Sequence, residues 1–172
     1  MNELEIAHLI SKDPFIDFHY RGSFAADNVP TLSSRKQQFA IVNLSPQGTD
    51  GSHWTCFYSS NFVLECFDPL GSRENVESIL LQSPALLRDI KRVKLSQEAY
   101  QEPASSSCAL FCIYFITKRL FRMQYSFESV LSNFFSSDTA RNEQRVQTFL
   151  VELEDFVKFK AQATRAALQT DS

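Results

Sequence analysis

The sequence is poor in residues that break or loosen a chain. It has four glycines and six prolines in 172 residues. That excludes a collagen-like repeat and a Pro/Gly-rich disordered tract. It has no long hydrophobic run. The most apolar stretch, residues 109–116, falls far short of the roughly 20 residues that span a bilayer. The acidic opening Met1-Asn2-Glu3-Leu4-Glu5 has no basic n-region, so no secretory signal is expected. There is no phosphate-binding loop, no G-x-G-x-x-G and no C-x-x-C pair, and no run of basic residues exceeds two. With 17 basic and 20 acidic residues the formal net charge is -3, which gives no global pull towards nucleic acid. The four cysteines, in a chain with no expected signal, read as free thiols rather than a disulfide framework.

Hydrophobic residues make up 44% of the chain, and 16 phenylalanines dominate the 13% that is aromatic. A sizeable core can therefore be buried. No repeat or linker divides the chain, so residues 1–172 are expected to form a single domain, with the tail after about residue 160 frayed. Asn2 is positioned to cap a first helix with Leu4, Ile6, Leu9 and Ile10 on its apolar face, stopped by Pro14. Residues 15–36 lack a period and read as loop. Residues 38–44, 53–59 and 61–67 are β-branched and aromatic and read as strands, the last two joined at the polar tip Ser59-Ser60-Asn61. Residues 74–81 and 85–91 read as helices, and 93–95 and 99–101 as short strands. Residues 108–121 form a helix that is apolar almost all round, which places it in the middle of a domain. Residues 127–135 and a long helix capped by Asp138 come next, the latter with Val146, Phe149, Leu150, Leu153, Phe156 and Val157 on one stripe. Helix, strands, then helices is an α+β arrangement.

A cysteine nucleophile needs thiolate character and a nearby base. Cys108 is the best-placed thiol. It follows the small polar run Pro103-Ala104-Ser105-Ser106-Ser107 and opens the buried helix, where free amides and the helix dipole favour an anion. Cys112 lies one turn further in, and Cys56 and Cys66 fall inside strands. Any of these also fits as a buried structural thiol. His53 stands at a strand end beside Trp54, the single tryptophan, and fits equally as an ordinary satisfied histidine. Asp68 ends the next strand, close enough to orient the ring or, alternatively, to accept turn amides before Pro69 and Gly71. Gln101 offers an amide donor for an oxyanion, or is a polar loop residue. Metal binding is not expected, because His53 and Cys56 point to opposite faces of one strand. The clusters Lys91-Arg92-x-Lys94 and Lys118-Arg119-x-x-Arg122 read as solvated charge.

In chain order these residues make a base, an orienter, an oxyanion donor and a nucleophile. Gly51-Ser52-His53-Trp54, Phe67-Asp68-Pro69-Leu70-Gly71 and Gln101-x-Pro103-x-Ser105-x-x-Cys108-x-Leu110-Phe111-Cys112 together resemble the adenain family, the adenovirus maturation proteases. Phe39-Ala40-Ile41-Val42-Asn43, Arg141-Asn142-Glu143-Gln144 and Phe149-Leu150 extend the resemblance over roughly residues 4–166. SUMO-specific proteases share the His-Trp, acid, Gln and Cys set but not the last segment. The resemblance implies a small mixed sheet flanked by helices, with a buried central helix carrying the nucleophile at its N-terminus. It implies a viral cysteine endopeptidase that cuts capsid and core precursors after glycine during virion maturation. Cys108 would attack, His53 would act as base and then acid, Asp68 would orient it, and Gln101 would serve the oxyanion. The alternatives are a SUMO- or ubiquitin-type isopeptidase and a scaffolding pseudoenzyme. The resemblance further implies a monomer in the virion and host nucleus that needs no cofactor for its chemistry, with DNA or a viral peptide as activator.

Four departures qualify these expectations. The acid is Asp68 where the family mostly has Glu. Glu102 and Ala109 stand where glycine is usual, beside the oxyanion site. No cysteine lies between Cys66 and Cys108, and Ile90 occupies the position matching the family's activator-linking cysteine, so a disulfide-linked activating peptide is not expected. The net charge of -3 argues against strong DNA stimulation.

Overall fold

The structure, a computed structural model, describes residues 1–49 and 51–170, with side chains through residue 155. Helix α1, Glu3–Ser11, begins with a reciprocal capping box. The Asn2 side chain accepts the Glu5 amide at 3.0 Å, and the Glu5 carboxylate accepts the Asn2 amide at 2.8 Å. Ile6, Leu9 and Ile10 are buried as expected, but Leu4 is 81% exposed and lies off the apolar face. Pro14 does not simply end α1. It opens a second helix, α2 (Pro14–His19), and Asp13 caps it by accepting the amides of Phe15 and Ile16. The first strand, β1 (Tyr20–Ala25), also falls in the stretch read as loop.

Four further strands complete one sheet in chain order: β2 (Gln38–Asn43), β3 (Trp54–Ser60), β4 (Val63–Phe67) and β5 (Arg92–Leu95). β1 and β2 are parallel, β2–β3 and β3–β4 antiparallel, and β4–β5 parallel, so the sheet is mixed. The β3–β4 turn has Asn61 and Phe62 both at positive φ, the backbone that matches strand twist in a two-residue hairpin. Of the expected helix 85–91, only a 3₁₀ turn at Pro84–Leu87 forms, and the left-handed backbone of Asp89 prevents its continuation. Residues 99–101 are not a strand. The amides of Tyr100 and Gln101 both donate to the Pro69 carbonyl rather than to a ladder.

The sheet is covered on both faces, which is why β2 and β3 read as continuous rather than alternating apolar runs. Phe39, Ile41, Cys56, Tyr58 and Phe67 face one core, and Ala40, Val42, Phe57, Leu64 and Cys66 face the other. On the second face lie α3 (Arg73–Gln82), through Val76 and Ile79, and the segment holding Ala26, Val29 and Leu32. On the first lies α4, Cys108–Phe121, with every residue from Cys108 to Ile116 buried. Helices α5 (Phe127–Phe134) and α6 (Thr139–Thr170) pack over α4. Asp138 accepts the Arg141 amide at the start of α6, and Val146 is buried. The expected stripe positions Phe156 and Val157 lie outside the described side chains. The backbone of α6 is helical past residue 160, to Thr170.

One polar contact fixes α4 along its own axis. Arg119, read from sequence as solvated charge, is buried and makes a two-pronged pair with Glu65 of β4 at 2.7 and 3.0 Å. Its guanidinium also sits 5.0 Å from the centre of the Tyr58 ring. Removing one partner strands the other charge in the core. Glu65→Ala should therefore destabilise the fold by about 3–5 kcal/mol in chemical denaturation, while Glu65→Leu combined with Arg119→Met should recover most of that loss.

Candidate active site

His53 lies one residue before β3, and Asp68 one residue after β4. The antiparallel pairing of Cys56 with Phe67 brings these two ends together. His53 Nε2 meets Asp68 Oδ1 at 2.7 Å. Asp68 is fully buried and His53 is 7% exposed. The loop before His53 is held by Asn43, whose side-chain oxygen accepts the amides of Ser45 and Ser52, and the Leu44 amide donates to the His53 carbonyl.

Cys108 arrives at the same place from α4, which packs on β3. Its thiol lies close enough to His53, and to the backbone at Trp54 and Ala109, for each to shift its titration. With Nε2 committed to Asp68, the ring presents Nδ1 to sulfur. Burial alone would raise the thiol's pKa, but His53 and the backbone at those two residues outweigh it and lower it below the ordinary value. Burial likewise disfavours a charged ring, yet the bonds to Asp68 and Cys108 lift His53 to about 9. These opposed shifts favour moving the proton from sulfur to the ring. The other three thiols are fully buried and shifted the opposite way by desolvation.

Asp68 makes both kinds of contact weighed for it. Its Oδ1 meets His53, and the same Oδ1 accepts the Leu70 amide at 2.8 Å while its carbonyl accepts the Gly71 amide at 2.9 Å. Gly71 stands at φ +66, and a side chain there would meet the Glu98 carbonyl oxygen at 2.5 Å. That close approach lets the segment leading to Gln101 lie directly on the acid's turn, with the Gln101 amide donating to Pro69 O at 3.0 Å. Gln101 is 1% exposed, and its Nε2 donates to the Ser105 carbonyl at 2.7 Å. The structure therefore bonds His53 to Asp68, sets Cys108 beside the ring, and pins Gln101 to the turn that carries the acid.

Sequence reasoning missed the supports of Asp68. The Ser96 hydroxyl accepts the Asp68 amide at 2.8 Å and donates to its carbonyl at 3.1 Å, and Asn75 Nδ2 donates to Oδ2 at 3.1 Å. Single short polar residues of this kind carry no spacing signal. Beside the site runs a groove of about 610 Å³, lined among others by Asn2, Glu3, Asn43, Gly51 and Trp54.

The "Adenovirus endoprotease" family model matches residues 20–142, well over half the chain but less than the stretch expected from the resemblance. A protease of bovine adenovirus 4 is 28% identical over 127 residues, 67% of this chain and 63% of that protein. A protease of bovine adenovirus 2 is 33% identical over 121 residues, 62% of this chain and 58% of that protein. The chain thus spans about six tenths of the length of these relatives. A solved structure of ChlaDub1 from Chlamydia trachomatis aligns with a TM-score of 0.48 and 16% identity, over 90% of this chain and 78% of that one.

Iodoacetamide should modify Cys108 below pH 7 and well ahead of Cys56, Cys66 and Cys112, as read by peptide mass spectrometry across pH. Labelling of all four only near the ordinary thiol range of about 8.5 would contradict the ion pair.

Proposed function

Because the chain belongs to the adenovirus endoprotease family, we propose that it is a cysteine endopeptidase that cleaves viral capsid and core precursors after glycine during virion maturation. The observation that carries this reading is the buried series Asp68–His53–Cys108, with the 2.7 Å carboxylate–imidazole bond at its centre.

The thiolate of Cys108 attacks the scissile carbonyl carbon. The negative charge that develops on oxygen is met by the Cys108 amide at the start of α4 and by the second N–H of the Gln101 side chain, the first being held by Ser105. Imidazolium His53 then gives its proton to the leaving amine as the C–N bond breaks, leaving a thioester on Cys108. Water attacks the thioester with neutral His53 as base, and the acid product leaves as the thiolate–imidazolium pair re-forms. Asp68 keeps Nδ1 of the ring aimed at sulfur in both halves and offsets the imidazolium charge. The groove beside Trp54 and Gly51 is where the substrate residues ahead of the cut would lie.

The same reading defines the partners. The substrates are viral precursor proteins, and the protein works as a monomer in the virion and host nucleus. A viral peptide that activates it does so without a disulfide, since Cys56, Cys66 and Cys112 are fully buried, Cys108 is taken up by the chemistry, and no cysteine lies between Cys66 and Cys108. DNA contributes through local basic side chains at most, given the net charge of -3. Among the described residues no helix is long and apolar enough to cross a membrane.

The test is cleavage of precursor peptides containing Gly-Gly, run beside fluorogenic ubiquitin and SUMO substrates, with and without DNA. Precursor cleavage is expected, with activity abolished in Cys108→Ala and reduced on the order of 10²–10³-fold in kcat in Gln101→Ala. Activity confined to the ubiquitin or SUMO substrates assigns an isopeptidase instead. Undiminished processing by Cys108→Ala removes the enzyme reading altogether. Activity should fall as pH rises through about 9, where His53 loses its proton, and on the acid side as Cys108 gains one.

A further inference from the structure

Both oxygens of the Asp68 carboxylate are bonded. Oδ1 serves His53 at 2.7 Å and the Leu70 amide at 2.8 Å, and Oδ2 takes a bond from Asn75 Nδ2 at 3.1 Å. The last torsion of an aspartate is broad, so its carboxylate plane is set by what its oxygens touch. Leu70 and His53 both lie on one oxygen. Asn75 alone holds the other among the described contacts.

Asn75 is itself well fixed. It sits in the first turn of α3, where its amide donates to the capping Ser72 hydroxyl at 3.2 Å. The next residue, Val76, and Ile79 one turn on are fully buried under the sheet. Its side chain is neutral, so it donates to Oδ2 without reducing the net charge that Asp68 presents to the ring. A lysine or arginine in the same place would compete with His53 for the carboxylate.

We propose that Asn75 is a positioning residue for the Cys108–His53 pair: by holding Oδ2 it fixes the carboxylate plane in which Oδ1 meets the imidazole. This rests on the roles of Cys108, His53 and Asp68 proposed above. The titratable groups that face the His53–Asp68 pair come from α4, Cys108 and one turn further Cys112. On α3 the neighbouring charges Arg73 and Glu77 pair with each other at 2.6 Å on the exposed side. From the segment 96–101, Ser96 and Gln101 are neutral, Glu98 is exposed, and the Tyr100 ring packs on Phe67 and Phe135; Glu74, beside Asn75 on α3, is exposed. The titration of the pair therefore reports on the Asp68 carboxylate and what orients it.

The experiment measures iodoacetamide labelling of Cys108 against pH in the parent, Asn75→Leu, Asn75→Ala and Asn75→Gln, alongside thermal melts. Without the Oδ2 bond the carboxylate turns away, the imidazolium loses support, and the thiol becomes harder to ionise. The acid limb of Cys108 labelling should then move up by about one pH unit in the Leu and Ala variants. That is a roughly tenfold loss of rate at a fixed acidic pH. Asn75→Gln, which keeps an amide donor, should fall between them and the parent. Asn75 is only half-buried, so these variants should fold. If the Leu variant does not, the Ala variant carries the comparison. Parent-like labelling curves in the donor-less variants, even with a lowered Tm, overturn the inference and leave a structural contact only. A parent that shows no preferential labelling of Cys108 at acidic pH overturns the underlying triad instead.

Discussion

A thiolate and an imidazolium stand side by side out of water only where fixed dipoles and a counter-charge replace the hydration they have lost. Here Cys108 opens α4, at the positive end of the helix, while the ring receives Asp68. Asp68 is fully buried, so its own charge must be met in turn, by Leu70 and Asn75. Each group in the series is tolerated because of the next. The series ends in neutral backbone and side-chain donors, with Ser96 clamping the acid's backbone from both sides. Among the described contacts no cation other than His53 closes it, which leaves the proton where the chemistry needs it.

The fold supplies this arrangement through two simple facts of topology. Antiparallel pairing of β3 and β4 puts the start of one strand beside the end of the other, so His53 and Asp68 meet without any long connection. The proposed nucleophile comes from elsewhere, and α4 brings Cys108 to them by lying across the buried face of the same two strands. A helix packed only by apolar contacts can slide. The Arg119–Glu65 pair on β4 fixes its position along the axis, some three turns from Cys108. A buried ion pair of this kind adds little net stability and is better understood as setting register.

How far each element is legible in the sequence depends on how it is held. α4 has its expected bounds because a helix buried all round leaves an unbroken apolar run with a charged end. β1 escapes sequence reading because it is an edge strand. Arg21, Gly22 and Ser23 break any apolar period, and the strand is placed by pairing with β2 and by the packing of Tyr20 and Phe24 on the two cores. Asp13-Pro14 carries a valid helix-start signal that is outweighed by the common use of proline as a stop. Residues 85–91 have helical spacing of Leu86, Leu87 and Ile90, but tertiary packing needs a sharp turn at Asp89 instead. The four candidate site residues stand out in the sequence because such chemistry is rare and ordered along the chain. Asn75 and Ser96 are not, since a lone amide or hydroxyl acquires meaning only from the atom it touches.

The two positions where glycine is usual in the family sharpen the picture of the proposed oxyanion site. Neither Glu102 nor Ala109 adopts a positive φ, so the backbone here makes no demand that only glycine can meet. Ala109 is fully buried inside the first turn of α4, and an added methyl is accommodated there as helix. Glu102 is exposed, and its carbonyl accepts the Ser105 amide at 3.0 Å, which closes the loop that carries the Ser105 carbonyl back to Gln101. That carbonyl decides the orientation of the Gln101 amide. Turning the amide over would set Oε1 against Ser105 O, two acceptors at bonding distance with no proton between them. The nitrogen must face Ser105, even though Oε1 is left buried without a partner. A donor whose orientation is fixed before substrate arrives needs no reorganisation when charge appears on the carbonyl oxygen, and in a buried site that preorganisation is the larger part of what an oxyanion donor contributes.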